Sequence, residues 1–400
     1  MMRRRWLIHL ASALIVLIGA GLARAAIEVA EADLYDTGRI PRLERKVVFR
    51  ANAYARRGNF DRAVAVLKEH LAEHPDQDHY LLRFYLAQHL SDGGAREAAL
   101  LEYWRAVDLE PRLDRAWFGL GDTAYKLGRF DLAGYAFTRG FHASPERPVE
   151  IYYYAAAAYL MGREPEKALP ALQSLTAGDW GTPKLDWYRA LVSATLELEK
   201  PELAEPRLAE LLASYPDDPD AWYLVYQFRA GTRDFRGAAI ALTVVGYLRD
   251  LTADEQRVLG DLYAVVGVPA FAADRYAEAF GDEATPDQYE RLASAYLAAH
   301  EDDRALDVLR GALAEQPTAR LYSLLGDIHY LNKDYQKAYE AFAHVAELDP
   351  EYGRAYLMQG YAAIELGEKE QALELLEKAA RFPDHQEMAT ALLRRAHRMS

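Results

Sequence analysis

The sequence predicts an all-α solenoid of about ten helix–turn–helix repeats, and three observations predict it. Alanine keeps a period near 34: Ala63, Ala99, Ala133, Ala168, Ala204, Ala238, Ala272, Ala305, Ala338 and Ala372 stand 33 to 36 residues apart. Four residues after each comes a large apolar side chain: Leu67, Tyr103, Phe137, Leu172, Leu208, Leu242, Tyr276, Leu309, Phe342 and Leu376. A small residue lets two helices approach closely, and the bulky one a turn later fills the groove between them. Third, the punctuation repeats. Gly58, Gly94, Gly128, Gly267 and Gly367 stand five residues before a marker alanine, where a left-handed helix cap suits glycine. Pro75, Pro111, Pro145, Pro216, Pro317 and Pro350 stand about a dozen residues after one, where proline ends the second helix.

Each repeat reads as helix A, a turn, helix B and a loop. The ten units begin near Glu44, Tyr80, Asp114, Val149, Leu185, Pro219, Ala253, Pro286, Ala319 and Gly353. They occupy 44–384, after a leader segment at 26–43. Residues 385–400 read as a capping helix whose face Met388, Leu392, Ala396 and Met399 closes the last repeat, with Arg394, Arg395 and Arg398 toward water. The middle is less regular. Residues 175–183 form a longer, glycine-containing link. Pro170 and Pro206 fall two residues after their marker alanines, inside the expected B helices. They bend the stack slightly unless they lie in a first turn. The competing reading is a hinge near 175–184.

Residues 1–25 read as an export signal. Arg3, Arg4 and Arg5 form a basic start, an apolar run follows to Leu22, and Ala23-Arg24-Ala25 supplies a peptidase site. An uncleaved inner-membrane anchor is the alternative, and both place the repeats outside the cytoplasm. The net charge is −14 overall and −18 beyond residue 25. Such a chain repels phosphate backbones and anionic lipid, so neither nucleic acid nor a membrane surface is expected as partner. The charge serves solubility, or a preference for a basic partner. The chain has no cysteine, which excludes disulfides, thiolate metal sites and cysteine nucleophiles.

The spacing resembles the tetratricopeptide repeat (TPR) family. Trp117, Leu120, Gly121, Ala133, Phe137 and Pro145 follow that family's pattern, with its tyrosine one place late at Tyr125. Leu259, Gly260, Tyr263, Ala272 and Tyr276 follow it again, as do Leu325, Gly326, Ala338, Phe342 and Pro350, with His329 in the tyrosine's place. The resemblance implies a right-handed superhelix that binds proteins and is not an enzyme. It also implies an inner, concave wall built from positions two, five, nine, twelve and thirteen of each helix A. Those positions bring Phe84, Phe118, Tyr153 and Tyr223 to the wall, with Tyr125 at a twelfth position and Arg115 at a second. Aromatic surface with arginine is the composition of binding hot spots, although rings packed on neighbouring helices would look the same. The carboxylate clamp of chaperone-binding TPR domains, Lys at five with Asn at nine, occurs in no unit.

A signal followed by TPR units is similar to bacterial envelope proteins, among them partners of TonB-type energy transduction and adaptors of exopolysaccharide export. The expected function is therefore a periplasmic scaffold that holds a partner protein of the cell envelope, with no cofactor. A self-assembling structural scaffold is the second reading. A metal-dependent enzyme is the third: His70 and His74 share one helix face, but no acidic partner stands at a matching offset. No phosphate loop, nucleophile elbow or H-E-x-x-H helix supports catalysis.

Overall fold

The computed structural model describes residues 42–281 and 284–399. The expected export signal and most of the leader segment lie outside the described residues. Among the described residues there are twenty-one α-helices, three short 3-10 turns and no strand. None of these helices is long and apolar enough to cross a membrane.

The chain divides into two compact units at Pro216 and Asp217. The first holds five helix pairs: α1 (Arg42–Ala55) and α2 (Phe60–Glu73), α3 (Tyr80–Asp92) and α4 (Arg96–Leu109), α5 (Asp114–Lys126) and α6 (Phe130–Ala143), α7 (Val149–Met161) and α8 (Pro165–Ala177), α9 (Leu185–Glu197) and α10 (Glu205–Ser214). The second holds α11 (Pro219–Gly231) and α12 (Phe235–Leu248), α13 (Ala253–Val265) and α14 (Pro269–Phe280), α15 (Pro286–Ala298) and α16 (Asp302–Glu315), α17 (Ala319–Leu331) and α18 (Tyr335–Leu348), α19 (Gly353–Leu366) and α20 (Lys369–Ala379), then the cap α21 (Gln386–His397).

Every marker alanine is fully buried, and every large residue four places later is at most 5% exposed. The reason is visible at the glycines of helix A. A methyl group on Gly121 would lie 2.6 Å from the Phe137 ring, and one on Gly326 would lie 2.8 Å from Phe342. Gly260 receives Tyr276 and Gly360 receives Leu376 in the same way. The bulky side chain of helix B thus lies on a bare backbone patch of helix A, and the alanine one turn earlier keeps the helices close enough for that. The Ala133→Leu variant forces extra atoms into this contact and is expected to lose roughly 1–3 kcal/mol. Because repeats touch only their neighbours, faster hydrogen exchange should concentrate in α5 to α7. Unchanged exchange there would contradict the register.

The helix ends follow backbone chemistry. Gly58, Gly94, Gly128, Gly267 and Gly367 all have φ between 73° and 86°, with nothing close enough to exclude a side chain, so conformation alone accounts for them. In the other five repeats the same corner has positive φ without glycine, at Arg163, Glu199, Arg233, His300 and Lys333. The six phased prolines each stand two residues beyond the end of a B helix. Pro170 does lie inside α8. Pro206 does not interrupt its helix: a 3-10 turn at Pro201–Leu203 delays α10, which leaves Pro206 in the first turn, where no backbone donor is needed.

The cap departs from expectation in one residue. A 3-10 turn at Pro383–His385 sets the start of α21, and Ala389, Leu392 and Ala396 form its buried stripe. These three fall within a narrow arc of the helix, and Met388, although four residues before Leu392, lies at the edge of that arc and is 58% exposed. Met399 packs against the same cluster, and Arg394, Arg395 and Arg398 face water as expected. The link at 175–183 lies inside the first unit, where Ser174 bonds both Asp179 and the Trp180 indole at 2.7 Å.

Candidate functional site

The wall begins with which side chains helix A has left over once its core stripe is buried. On α3 the buried stripe includes Leu82, Leu86 and Leu90, and Phe84 sits beside it, half-buried. Its ring lies 5.3 Å from Tyr85 and 6.0 Å from Tyr103 of α4. On α5, Phe118 is half-buried and rests on Gly140 of α6, where a methyl group would be 2.6 Å from the ring. Tyr125, two turns on, meets the edge of Phe130 at 5.5 Å. On α7, Tyr153 is half-buried, and desolvation pushes its phenol above the ordinary tyrosine range, with the Asp186 charge acting the same way. Arg115 stands one turn before Phe118, its backbone N–H donating to the Asp114 carboxylate at 2.7 Å.

Phe84, Phe118, Tyr125, Tyr153 and Arg115 therefore all lie on A helices of the first unit. Phe84, Phe118 and Tyr125 each rest against a neighbouring ring or backbone, and all four rings are partly buried. Seating fixes the rotamer, so a ligand that stacks there orders less. Tyr223 lies on α11 of the second unit, 5.2 Å from Tyr226 and with the Arg249 guanidinium 5.8 Å from its ring centre.

His70 is buried and His74 exposed, with ring centres 5.0 Å apart. Among the described residues no group of three or more His, Asp or Glu side chains is placed to hold a metal ion.

The A helices of the second unit carry a different set of contacts. Asp261 of α13 accepts from the Tyr276 hydroxyl at 2.7 Å and from Arg291 of α15 at 2.9 Å. Glu290 of α15 takes both carboxylate bonds from Arg320 of α17 at 3.0 Å. Arg354 of α19 reaches Asp327 of α17 at 2.7 Å and Ser323 at 3.1 Å. Arg395 of the cap reaches Glu365 of α19 at 2.8 Å. Each acid is answered by an arginine in the next repeat or, for Glu365, in the cap. These pairs are partly exposed and contribute about 0–1 kcal/mol each, so their main effect is to leave a neutral, polar surface. Glu290, Arg291 and Arg320 line a recess of about 430 Å³ together with Tyr276, Ala264, Ala295 and Ala298. Sequence reasoning passed over this ladder. Its signal is an acid followed 27 to 30 residues later by arginine, a spacing distinct from the repeat period.

Comparison with known proteins agrees with this architecture. Models of the tetratricopeptide repeat match residues 51–79, 86–148, 319–352 and 354–385. The matched segments are tetratricopeptide repeats. Protein FlbA of Caulobacter vibrioides is 28% identical over 222 residues, which are 53% of this chain and 36% of that protein. The chain thus spans about a third of that relative's length. Among solved structures, MamA is 24% identical over 42% of this chain and 97% of its own, with a TM-score of 0.36. YrrB, described as a TPR protein with an unusual peptide-binding site, is 18% identical over 46% of this chain and 96% of its own, with a TM-score of 0.37.

Proposed function

We propose that this protein is a periplasmic TPR scaffold that holds a partner protein of the cell envelope on the helix A wall of its first unit. The observation that carries the reading is the row of half-buried rings Phe84, Phe118 and Tyr153, one on each of three successive A helices. A ring seated on one side and open on the other has apolar surface left to bury, and a partner's extended or helical segment supplies the cover. Arg115 and Tyr125 flank the row. The basic start, apolar run and Ala23-Arg24-Ala25 of the sequence support export.

The experiment is crosslinking and pull-down of the mature protein from its native envelope, followed by titration of the captured partner. In the double variant Phe118→Ala and Tyr153→Ala, affinity is expected to fall at least about tenfold, since truncating one hot spot costs roughly 2 kcal/mol. Circular dichroism serves as the folding control. Unchanged affinity in a folded double variant removes this wall as the site. N-terminal sequencing of protein from the envelope fraction tests the location, and an intact Met1 in the cytosol refutes it.

A further inference from the structure

The first unit also holds a recess, in the same place as that of the second: between the A helices of consecutive repeats. It measures about 200 Å³, lies between α1 and α3, and is lined by Asn52, Phe60, Tyr85, Gln88, His89 and Asp92 among others. Its chemistry is one-sided. His89 is 4% exposed, and its Nε2 lies 2.9 Å from the Asn52 amide oxygen. An amide oxygen only accepts, so Nε2 carries the proton and Nδ1 is left as a bare acceptor. Nδ1 of His89 and Oε1 of Gln88 are both buried and have no hydrogen-bond partner. Two unmatched buried acceptors are costly until a donor arrives. Asp92 adds a carboxylate whose pKa is raised by burial, with Asp122 acting in the same direction and Lys126 opposing. Phe60, which is only partly buried, adds an aromatic ring, and aromatic faces attract cations. Arg56, also at the lining, is already partnered. Gln88 stands one helical turn after Phe84 on α3, so the recess adjoins the aromatic wall.

We infer that this recess receives the cationic end of a lysine or arginine side chain from the segment held on the Phe84, Phe118 and Tyr153 wall. The inference rests on the function proposed above and adds the partner's chemistry: an apolar segment with a basic residue beside it. An N–H-rich cation offers donors to Gln88 and His89 and charge to Asp92, and the acidic balance of the chain favours its approach.

The test uses the full chain and three capped heptapeptides of leucine and alanine, differing only at the centre: lysine, norleucine or glutamate. Titration should show the lysine peptide binding about fivefold more tightly than the norleucine peptide, the size of one partly exposed charge pair. The preference should vanish in Asp92→Asn. It should survive in Asp61→Asn, which removes an exposed acid outside the recess. Equal affinity for lysine and norleucine, a preference that persists in Asp92→Asn, tighter binding of the glutamate peptide, or no binding of the lysine peptide each overturns the inference. The wall itself is judged by the captured partner and the Phe118→Ala, Tyr153→Ala variant, so the two failures are separable.

Discussion

Replacing Phe342 by alanine is expected to remove about 3–5 kcal/mol of stability from the second unit. Phe342 has no exposed surface, and it lies against Gly326, which has no side chain to move into the space it would leave. A cavity bounded by bare helix backbone collapses poorly, and the cost of a large-to-small change rises with the volume left unfilled. Its fully buried neighbours Ala338, Val345, Ala355 and Ala362 are small or stiff and refill little of it. Urea unfolding gives the total loss, and hydrogen exchange should place it in α17, α18 and α19. A loss under about 1 kcal/mol would mean that the A–B contact relaxes, contrary to the close packing described above. Phe342→Leu, which retains much of the volume, should cost much less.

Acidification should weaken the first unit through His89. Burial lowers its pKa from the usual 6.5 to about 4. Between those values the unfolded chain binds a proton that the folded chain excludes, so stability falls as pH drops from above 6.5 toward 4. A shift of that size corresponds to about 3 kcal/mol over the interval, after which this group contributes no further change. His79 acts in the same direction: desolvation lowers its pKa, and its Nδ1 accepts the Leu81 N–H at the start of α3, which a protonated ring cannot do. Unfolding measured at several pH values in wild type and His89→Leu should give a shallower decline in the variant. Parallel curves would show that His89 is not held neutral.

The register of the repeats was legible because it rests on side-chain size, which a sequence states directly. Ala133 and Phe137 identify a contact without any knowledge of the backbone around them. The corners were half legible. Gly128 announces a left-handed residue, but Lys333 adopts the same conformation under the pull of the helices on either side, and nothing about lysine says so. Pro206 does lie in its B helix, and it falls in the first turn because a 3-10 turn takes residues that a regular helix would have used. Met388 was misplaced because helical drift over two turns decides which residue faces inward, and the starting phase was set by another 3-10 turn. At the site, the rings on the A helices were found from position within the repeat, but how each is seated was not. The charge ladder joins different positions of successive repeats, so comparing like positions hides it. His89 was unremarked because histidine type does not report burial; only the packing of α1 against α3 removes it from water.

The shared corner of the repeats has a consequence for how much this chain can be changed. An L-residue held in the left-handed conformation costs roughly 1–2 kcal/mol relative to glycine. Arg163, Glu199 and Arg233 bear that load in three consecutive repeats, and His300 and Lys333 in two more. The fold therefore holds its tightest bend with several unbranched residues as well as with glycine. What recurs at these corners is a shape of the main chain, and the letters written over it are free to drift. The same five corners are latent room for improvement. An engineer seeking a hardier scaffold would start there.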